Sequence, residues 1–364
     1  MSLTRFLQRV GNLGKGLALV LVVLSTISYI VSMALGPILF FSTSGGLTVA
    51  ARPIHQLPID VFTVIEIPIP LIGVSLGTLF AAIWGAFVLC FILAWLSRGG
   101  FVKSIRDALR KPFAMGRTNF LFMMPLLTTG LLYATVIIEQ FQATQGVQTG
   151  SLNFPPTTSP YIILLNLAFA PLSEELGFRI TSIGIPLGIV LAFVFFRSDP
   201  KLAGPVNKLK LVLLAMVSPE AAKQNLGYRN VSTNGLIHGI SPLEWVLILV
   251  TAFAFGSAHL LLGGGWEIGK VTTAFLAGLV FGIAYVAYGA YADILLHWFF
   301  DYYFTVLDMG GSTYGAGLAA FANLTESISL VAGLVVLVVY LIWSALRISN
   351  WLTMRATGMA AHNS

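Results

Sequence analysis

The stretch YIILLNLAFAPLSEELGFRITSIGIPLGIVLAFVFF, residues 161–196, is a long apolar run that contains two adjacent carboxylates, Glu174 and Glu175, and Arg179. It is too long for one upright membrane span and too short for two spans with a turn, since a span needs about 20 residues. We therefore predict one tilted or broken crossing, interrupted near Pro186 because proline breaks the helical hydrogen-bond pattern. Charged side chains at membrane depth are costly and usually functional, so this run is a candidate site.

The whole chain has the composition of a membrane protein. Of its 364 residues, 57% are hydrophobic and only 9% are charged, against roughly a quarter charged in a soluble domain. A soluble globular protein is thereby excluded. The single cysteine, Cys90, cannot form an intramolecular disulfide. The net charge of +6 comes from basic residues that flank apolar runs, so we expect it to set membrane topology and expect no nucleic-acid partner.

Seven further apolar stretches are long enough to cross a bilayer at 1.5 Å per residue. They are residues 16–41, 71–96, 120–138, 242–262, 271–290, 294–307 with its flanks, and 328–346. The first of them is much longer than the apolar core of a signal peptide and is predicted to be a membrane helix. The predicted fold class is all-α, a polytopic membrane helix bundle with about eight transmembrane helices.

Basic residues divide the loops into two groups. Segments 97–118 and 198–240 are rich in Lys and Arg, whereas 140–160 and 308–326 contain neither. The positive-inside rule predicts that the basic segments and both termini are cytoplasmic, and we expect a prokaryotic plasma membrane. Segment 198–240 includes the apolar patch 209–217, and we interpret it as an interfacial linker, with a substrate-gripping amphipathic element as the alternative.

Ionisable residues at membrane depth are concentrated in the later half of the chain. They are Glu174, Glu175, Arg179, His259, Asp293, His297 and Asp301. Polar pairs that only fix helix packing are the alternative to a functional site. Glu175 and Arg179 are four residues apart and share a helix face, which predicts a structural ion pair. Glu174 is rotated by about 100° and lacks that partner, so it is the candidate general base.

The two histidines complete the candidate site. His297 and Asp301 are four residues apart and present one polar face, which could converge with His259. Other chemistries lack their motifs: no H-E-x-x-H zinc helix and no G-x-S-x-G elbow occurs in the sequence. Ser257 is only two residues from His259 and faces another way, which argues against a serine nucleophile.

Three segments resemble, in order, the motifs of the CPBP family, which read E-E-x-x-x-R, F-x-x-x-H and H-x-x-x-N/D. They are EELGFR at 174–179, FGSAH at 255–259 and HWFFD at 297–301. The family includes type II CAAX prenyl endopeptidases and bacteriocin self-immunity proteins. The resemblance covers about residues 158–307. Three glycines before the last motif also look like the family: Gly278, Gly282 and Gly289.

The resemblance implies an all-helical intramembrane endopeptidase. Glu174 would be the base, His259 would help hold the water, and His297 with Asp301 would stabilise the oxyanion or hold the site together. Many members carry Asn at the last position, and an ionised aspartate cannot donate to an oxyanion. Asp301 must then be protonated, act through His297, or bind a metal.

A cofactor is left open at this point. Glu174, His259, His297 and Asp301 also form a plausible ligand set for a divalent metal such as zinc, although a metal-free water mechanism is favoured. The expected partners are the lipid bilayer and a peptide or protein substrate, prenylated or membrane-bound. We expect three regions: N-terminal transmembrane helices at 1–157, the catalytic core at 158–307 with its cytoplasmic loop 198–240, and a C-terminal transmembrane helix and tail at 308–364.

Two other functions stay as alternatives. Buried Glu, His and Asp chains also build proton relays, so one alternative is a proton-coupled transporter or channel, which would conduct ions. The other is a non-proteolytic immunity or scaffold protein. One difficulty concerns depth: His259 is predicted about 25 Å from the cytoplasmic end of its span and His297 only about one turn into its own. A helix break near Gly256 or a re-entrant stretch around Gly289 would bring them together.

Overall fold

The computed structural model describes the backbone of residues 3–63, 65–108, 110, 117–198 and 204–362. Side chains of residues 3–15, 195–198, 343 and 345–362 are not described. Two basic residues used to predict the topology, Lys111 and Lys201, lie outside the described residues. For five others the backbone is described but the side chain is not: Arg5, Arg9, Lys15, Arg347 and Arg355.

The described part of the chain is mainly helical, which confirms the predicted polytopic bundle. The α-helices are α1 (Leu3–Ser42), α2 (Ser44–Ala50), α3 (Leu76–Leu96), α4 (Phe101–Ala108), α5 (Phe120–Thr144), α6 (Pro160–Glu175), α7 (Ile185–Ser198), α8 (Pro205–Val217), α9 (Pro219–Asn225), α10 (Val231–Gly239), α11 (Pro242–Leu261), α12 (Ile268–Tyr288), α13 (Ala290–Trp298), α14 (Phe304–Tyr314) and α15 (Ala316–His362). A 3₁₀ turn follows α3 at Ser97–Gly99. Two π-helical stretches, π1 (Leu176–Gly184) and π2 (Phe299–Tyr303), join α6 to α7 and α13 to α14.

Seven helices in the described part are long and apolar enough to cross a membrane. They are Gly16–Ser42, Leu76–Gly99, Phe120–Thr144, Pro160–Val194, Pro242–Leu261, Ile268–Tyr288 and Ala316–Ile342. The run that was predicted as one irregular crossing is the 35-residue helix Pro160–Val194. The predicted crossing at 294–307 is not among the seven; it falls within the three consecutive pieces α13, π2 and α14.

The interruption predicted near Pro186 takes the form of π1. Pro186 has no backbone N–H to donate to the carbonyl one turn before it. Within π1, Thr181 Oγ1 donates to the carbonyl of Leu176 at 2.8 Å, and Ser182 Oγ donates to that of Gly177 at 2.7 Å. The helix widens before Pro186 and does not break. Wide turns of this kind are frequent at functional sites.

A β-hairpin between α2 and α3 was not predicted. Strands β1 (Pro53–Val61) and β2 (Ile65–Ser75) pair antiparallel, with Ile59 opposite Ile67 and Asp60 opposite Glu66. Period-two alternation of apolar residues was the available signal. The span predicted to begin at residue 71 therefore begins at Leu76, because residues 71–75 belong to β2.

The tip of the hairpin contacts π1. The backbone N–H of Thr63 donates to Gly177 O at 3.0 Å, and the N–H of Phe62 donates to Thr181 Oγ1 at 2.8 Å. A Cβ at Gly177 would lie 2.9 Å from Asp60 Cβ, so this position requires glycine. The hairpin thus runs beside α6 down to the middle of the long helix.

Segment 198–240 was predicted to be an interfacial linker, and its described part contains helices α8, α9 and α10. Helices α8 and α9 cover the turn between α12 and α13. Tyr285 Oη donates to Met216 O at 2.7 Å, and Gly289, with φ at +106°, lies so close to α8 that a Cβ there would be 2.7 Å from Val217 O. This packing buries residues 284–290.

The ends of the helices form two opposite faces. On the first, Arg98 Nη2 lies 3.3 Å from Glu220 Oε1, and Arg117 Nε donates to Ser232 O at 3.0 Å. The two basic segments therefore contact each other, and we call this side the basic face. On the other, loops 145–159 and 262–267 pair through a β-bridge between Gly150 and Trp266. We call this side the opposite face.

Candidate active site

The inner part of the site is an ion-pair network around Glu175. Arg179 Nη1 donates to Glu175 Oε1 at 2.9 Å, and His297 Nδ1 donates to the same oxygen at 2.8 Å. Arg179 and Glu175 are 0% exposed and His297 is 4% exposed. The Glu175–Arg179 contact is the one that their spacing suggests, whereas the contact from His297 has no counterpart in local sequence. Glu175 thereby fixes the orientation of the His297 ring.

Arg179 is held in place by aromatic rings. Its guanidinium carbon lies 4.5 Å from the centre of the Phe255 ring and 5.4 Å from that of Phe281. Its Nη2 donates to Gly278 O at 3.3 Å. A Cβ at Gly278 would lie 2.9 Å from Ala252 Cα, so the glycine allows α11 and α12 to approach closely. The rings and the carbonyl stabilise a cation that would be costly to bury alone.

The outer edge of the site consists of Glu174, His297 and Asp301. His297 Nε2 lies 3.2 Å from Asp301 Oδ2 and 3.7 Å from Glu174 Oε2. The side chains of Glu174 and Asp301 are 30% and 26% exposed, whereas that of Glu175 is fully buried. Adjacent glutamates therefore occupy different environments, one partly exposed and one in a closed ion-pair network.

His259 lies one helical turn after Phe255 on α11. Its Nδ1–H donates to Phe255 O at 2.8 Å, which leaves Nε2 as an acceptor in the neutral ring. The Phe255 ring meets the His297 ring edge-on, with centroids 5.6 Å apart. No hydrogen bond or ion pair in the described part of the chain joins His259 directly to Glu174, His297 or Asp301. A bridging water or substrate group would be needed to connect them.

The sequence predicted that His259 and His297 lie at different depths in their spans, and the positions of the helix interruptions explain how they can approach each other. Helix α11 runs without a break from Pro242 to Leu261, so the break predicted near Gly256 is absent from this described helix. The irregularity lies instead at Gly289, where α12 ends and α13 begins. Because α8 and α9 bury this turn, His297 is deeper in the bundle than a span that started at the surface would place it.

Asp293 is a further buried member of the site, to which the sequence analysis assigned no role. It is 0% exposed and lies one helical turn before His297 on α13. Neither of its oxygens has a hydrogen-bond partner within the described part of the protein. The spacing of Asp293, His297 and Asp301, four residues each, was the signal that could have identified it.

The candidate metal ligands suggested by the motifs are Glu174, His259, His297 and Asp301. Among the described residues, no group of three or more His, Cys, Asp and Glu side chains is spaced to hold a metal ion. Two ligands about 2 Å from one tetrahedral zinc ion are themselves about 3 Å apart, so the 3.2 Å between His297 Nε2 and Asp301 Oδ2 fits a direct contact and shared coordination equally well. The zinc ligand set suggested by the motifs stays a prediction.

The fold and the site define a class: a polytopic helical membrane protein with a carboxylate and imidazole cluster inside its bundle. Residues 156–303 match the family model described as type II CAAX prenyl endopeptidase Rce1-like. This match confirms, over this part of the chain, the resemblance to the CPBP family drawn from the three motifs. No curated protein and no solved structure matches the chain. The matched family is one of membrane peptidases of the CAAX type, which act on peptide or protein substrates, and the match supports that activity at the level of the family.

Proposed function

We propose that the chain is an intramembrane endopeptidase in which Glu174 activates water. The observation that carries this proposal is the environment of the two glutamates: Glu174 is 30% exposed beside His297, while Glu175 is buried and bonded to Arg179. A general base must reach the proton that it removes, and only the exposed carboxylate can meet water and substrate.

The chemistry follows from the atoms at the outer edge. The Glu174 carboxylate takes one proton from a water molecule as the water oxygen attacks the carbonyl carbon of the peptide bond. His259 Nε2 accepts a hydrogen bond from the other O–H and so orients the water. Glu174 then delivers the proton to the leaving nitrogen as the C–N bond breaks, which gives a carboxylic acid and an amine.

His297 is the candidate oxyanion donor. A ring protonated on both nitrogens donates from Nδ1 to Glu175, and it can turn its Nε2–H from Asp301 to the oxygen that gains charge in the tetrahedral intermediate. Glu175 orients the ring through Nδ1, and Asp301 lies at Nε2. We therefore assign Asp301 to positioning His297 rather than to direct donation, since an ionised carboxylate cannot donate. Glu175 and Arg179 hold the site together.

The test compares the adjacent glutamates. Glu174→Gln keeps the size of the side chain and removes the base, so we expect peptide cleavage to fall by roughly 10²–10⁴-fold with little change in the melting temperature. Glu175→Ala leaves Arg179 buried without its partner, and we expect a loss of about 3–5 kcal/mol in the free energy of unfolding. Purified variants in detergent would receive a proteome-derived peptide library, with cleavage sites read by mass spectrometry.

Each variant serves as the control for the other. Wild-type protein that cleaves no peptide in the library, with or without a lipid-modified CAAX peptide added, would contradict the proposal as a whole. Wild-type turnover in Glu174→Gln would leave peptidase activity intact and remove Glu174 as its base.

A further inference from the structure

We propose that Lys270 binds a carboxylate of the peptide substrate, within about three residues of the bond that is cleaved. The inference rests on the proposed function and names a specificity-determining residue for it. Either the free C-terminus of the peptide or an acidic side chain can supply this carboxylate, and the experiment separates the two sources. Three features carry the inference: the position of Lys270 on α12, the contacts that hold its side chain and its unpaired charge.

The packing of α11 against α12 sets which residues of the two helices lie side by side. A Cβ at Gly278 would lie 2.9 Å from Ala252 Cα, and a Cβ at Gly256 would lie 2.6 Å from Val271 O. As residue numbers rise along α11 they fall along α12, so the two helices are antiparallel. One further turn of α11 therefore brings His259 level with the first turn of α12.

Lys270 lies in that first turn, on the face of α12 that points to the site. It is about three helical turns from Phe281 and on the same face, and the Phe281 ring stacks on the His297 ring with centroids 5.3 Å apart. The Lys270 ammonium lies 4.0 Å from the centre of the Trp266 ring, which is 6.2 Å from the His259 ring. These distances place the ammonium within about 10 Å of His259, a length that about three extended residues cover.

The two loops of the opposite face hold the Lys270 side chain in place. They pair through the bridge between Gly150 and Trp266, and the N–H of Glu267 donates to Thr149 O at 3.0 Å. The Trp266 ring is thereby fixed beneath the ammonium. Because the lysine is partly ordered in advance, it loses less conformational freedom when it binds an anion.

The charge of Lys270 has no ion-pair partner in the part of the chain that the structure describes. Its side chain is partly buried, and no Asp or Glu oxygen there lies within ion-pair distance of the ammonium. Glu139, Glu174 and Asp301 attract it only from farther away. The first turn of a helix is also where the helix dipole disfavours a cation and favours an anion. A bound carboxylate would complete this arrangement.

A different role for the cation is to act on the site itself, since Lys270 attracts Glu174 and Asp301. Such a role would change the rate for every peptide by a similar factor. Binding of a substrate carboxylate instead changes KM, and only for peptides that carry the carboxylate. The difference between paired peptides, with and without the carboxylate, therefore distinguishes the two roles.

The test compares wild-type protein with Lys270→Met, which removes the charge but keeps an apolar side chain of similar length against Trp266. Peptides cleaved by the wild type would be prepared again with an amidated C-terminus, or with Asn or Gln in place of an acidic residue near the cleaved bond. We expect one of these changes to raise the wild-type KM by roughly 10–100-fold at nearly constant kcat, as loss of a charge-assisted hydrogen bond would. The change that does so identifies the source of the carboxylate.

In Lys270→Met the paired peptides should have the same KM, whereas Lys270→Arg, which keeps a cation, should retain the wild-type preference. Lys103→Met removes an exposed lysine from α4 and is the matched control, which should also retain it. A wild-type KM that responds to neither change, or an undiminished preference in Lys270→Met, would overturn the inference and leave the proposed function in place.

Binding separates the inference from the proposed function if no peptide is cleaved. The peptide library and an amidated copy would be captured on immobilised Glu174→Gln protein and on the double variant that also carries Lys270→Met, and the retained peptides identified by mass spectrometry. Preferential retention of peptides with the carboxylate, lost in the double variant, would support the Lys270 site even for a protein without peptidase activity. Equal retention by the two proteins would overturn it.

Discussion

At the residue scale, Asp301 has a different role in the metal-free mechanism and in a metal-dependent one. It replaces the asparagine found in many family members and lies 3.2 Å from His297 Nε2. In the metal-free mechanism its oxygen only has to accept from the histidine, and an asparagine oxygen can do the same. In a metal mechanism it would be an anionic ligand, and its charge would be essential.

We expect Asp301→Asn to keep or raise the rate at neutral pH, with little effect of a chelator on either protein. Turnover and bound metal would be measured for the wild type and this variant, each with and without chelator. A fall in rate accompanied by loss of bound metal would instead establish a metal site that includes Asp301.

At the element scale, the hairpin connects a region outside the family match to the base. Ser173, directly before Glu174, donates from Oγ to Asp60 Oδ2 at 2.8 Å and accepts from the Asp60 N–H at 3.1 Å. The hairpin tip also bonds to Gly177 and Thr181 in π1. These contacts fix the end of α6 from which the Glu174 side chain projects.

We expect Asp60→Ala to lower kcat by about tenfold with a small change in KM, because small misplacements of a catalytic group reduce rate strongly. Asp60→Asn, which still accepts from Ser173, should restore most of the rate. Glu66→Ala, on the exposed outer strand, is the matched control and should behave as wild type. An unchanged kcat in Asp60→Ala would show that the hairpin does not position Glu174.

At the scale of the whole molecule, the number of crossings depends on the segmented helix of α13, π2 and α14. From Ala290 to Tyr314 it extends about 36 Å at 1.5 Å per residue, enough for a bilayer core of about 30 Å. If it crosses, the chain makes eight crossings and its loops alternate as their charges require.

On a Cys90→Ala background, we expect Ser312→Cys to be labelled in intact cells and Lys210→Cys only in inverted vesicles. Labelling of both positions from the same side would reduce the crossings to seven and place the C-terminal helix in the reverse orientation. The Lys210 variant alone is the control for the sidedness of each preparation.

The sequence by itself determined the class of this protein, the long central crossing and the motif residues. Apolar composition excludes a soluble fold whatever the packing, and helical periodicity places Glu175 beside Arg179 from local geometry alone. The three motifs also sufficed to recognise the family. These features depend on residue type and short spacing, which a sequence states directly.

Only the tertiary structure decided which distant groups meet. The bond from His297 to Glu175 and the contact of the hairpin tip with π1 join residues far apart in the chain. The burial of Gly289 under α8 and α9 places the start of α13 inside the bundle, whereas counting residues from an assumed surface put His297 about one turn into its span. Contacts across a bundle depend on how neighbouring helices pack and where their ends are covered, and no local spacing encodes either.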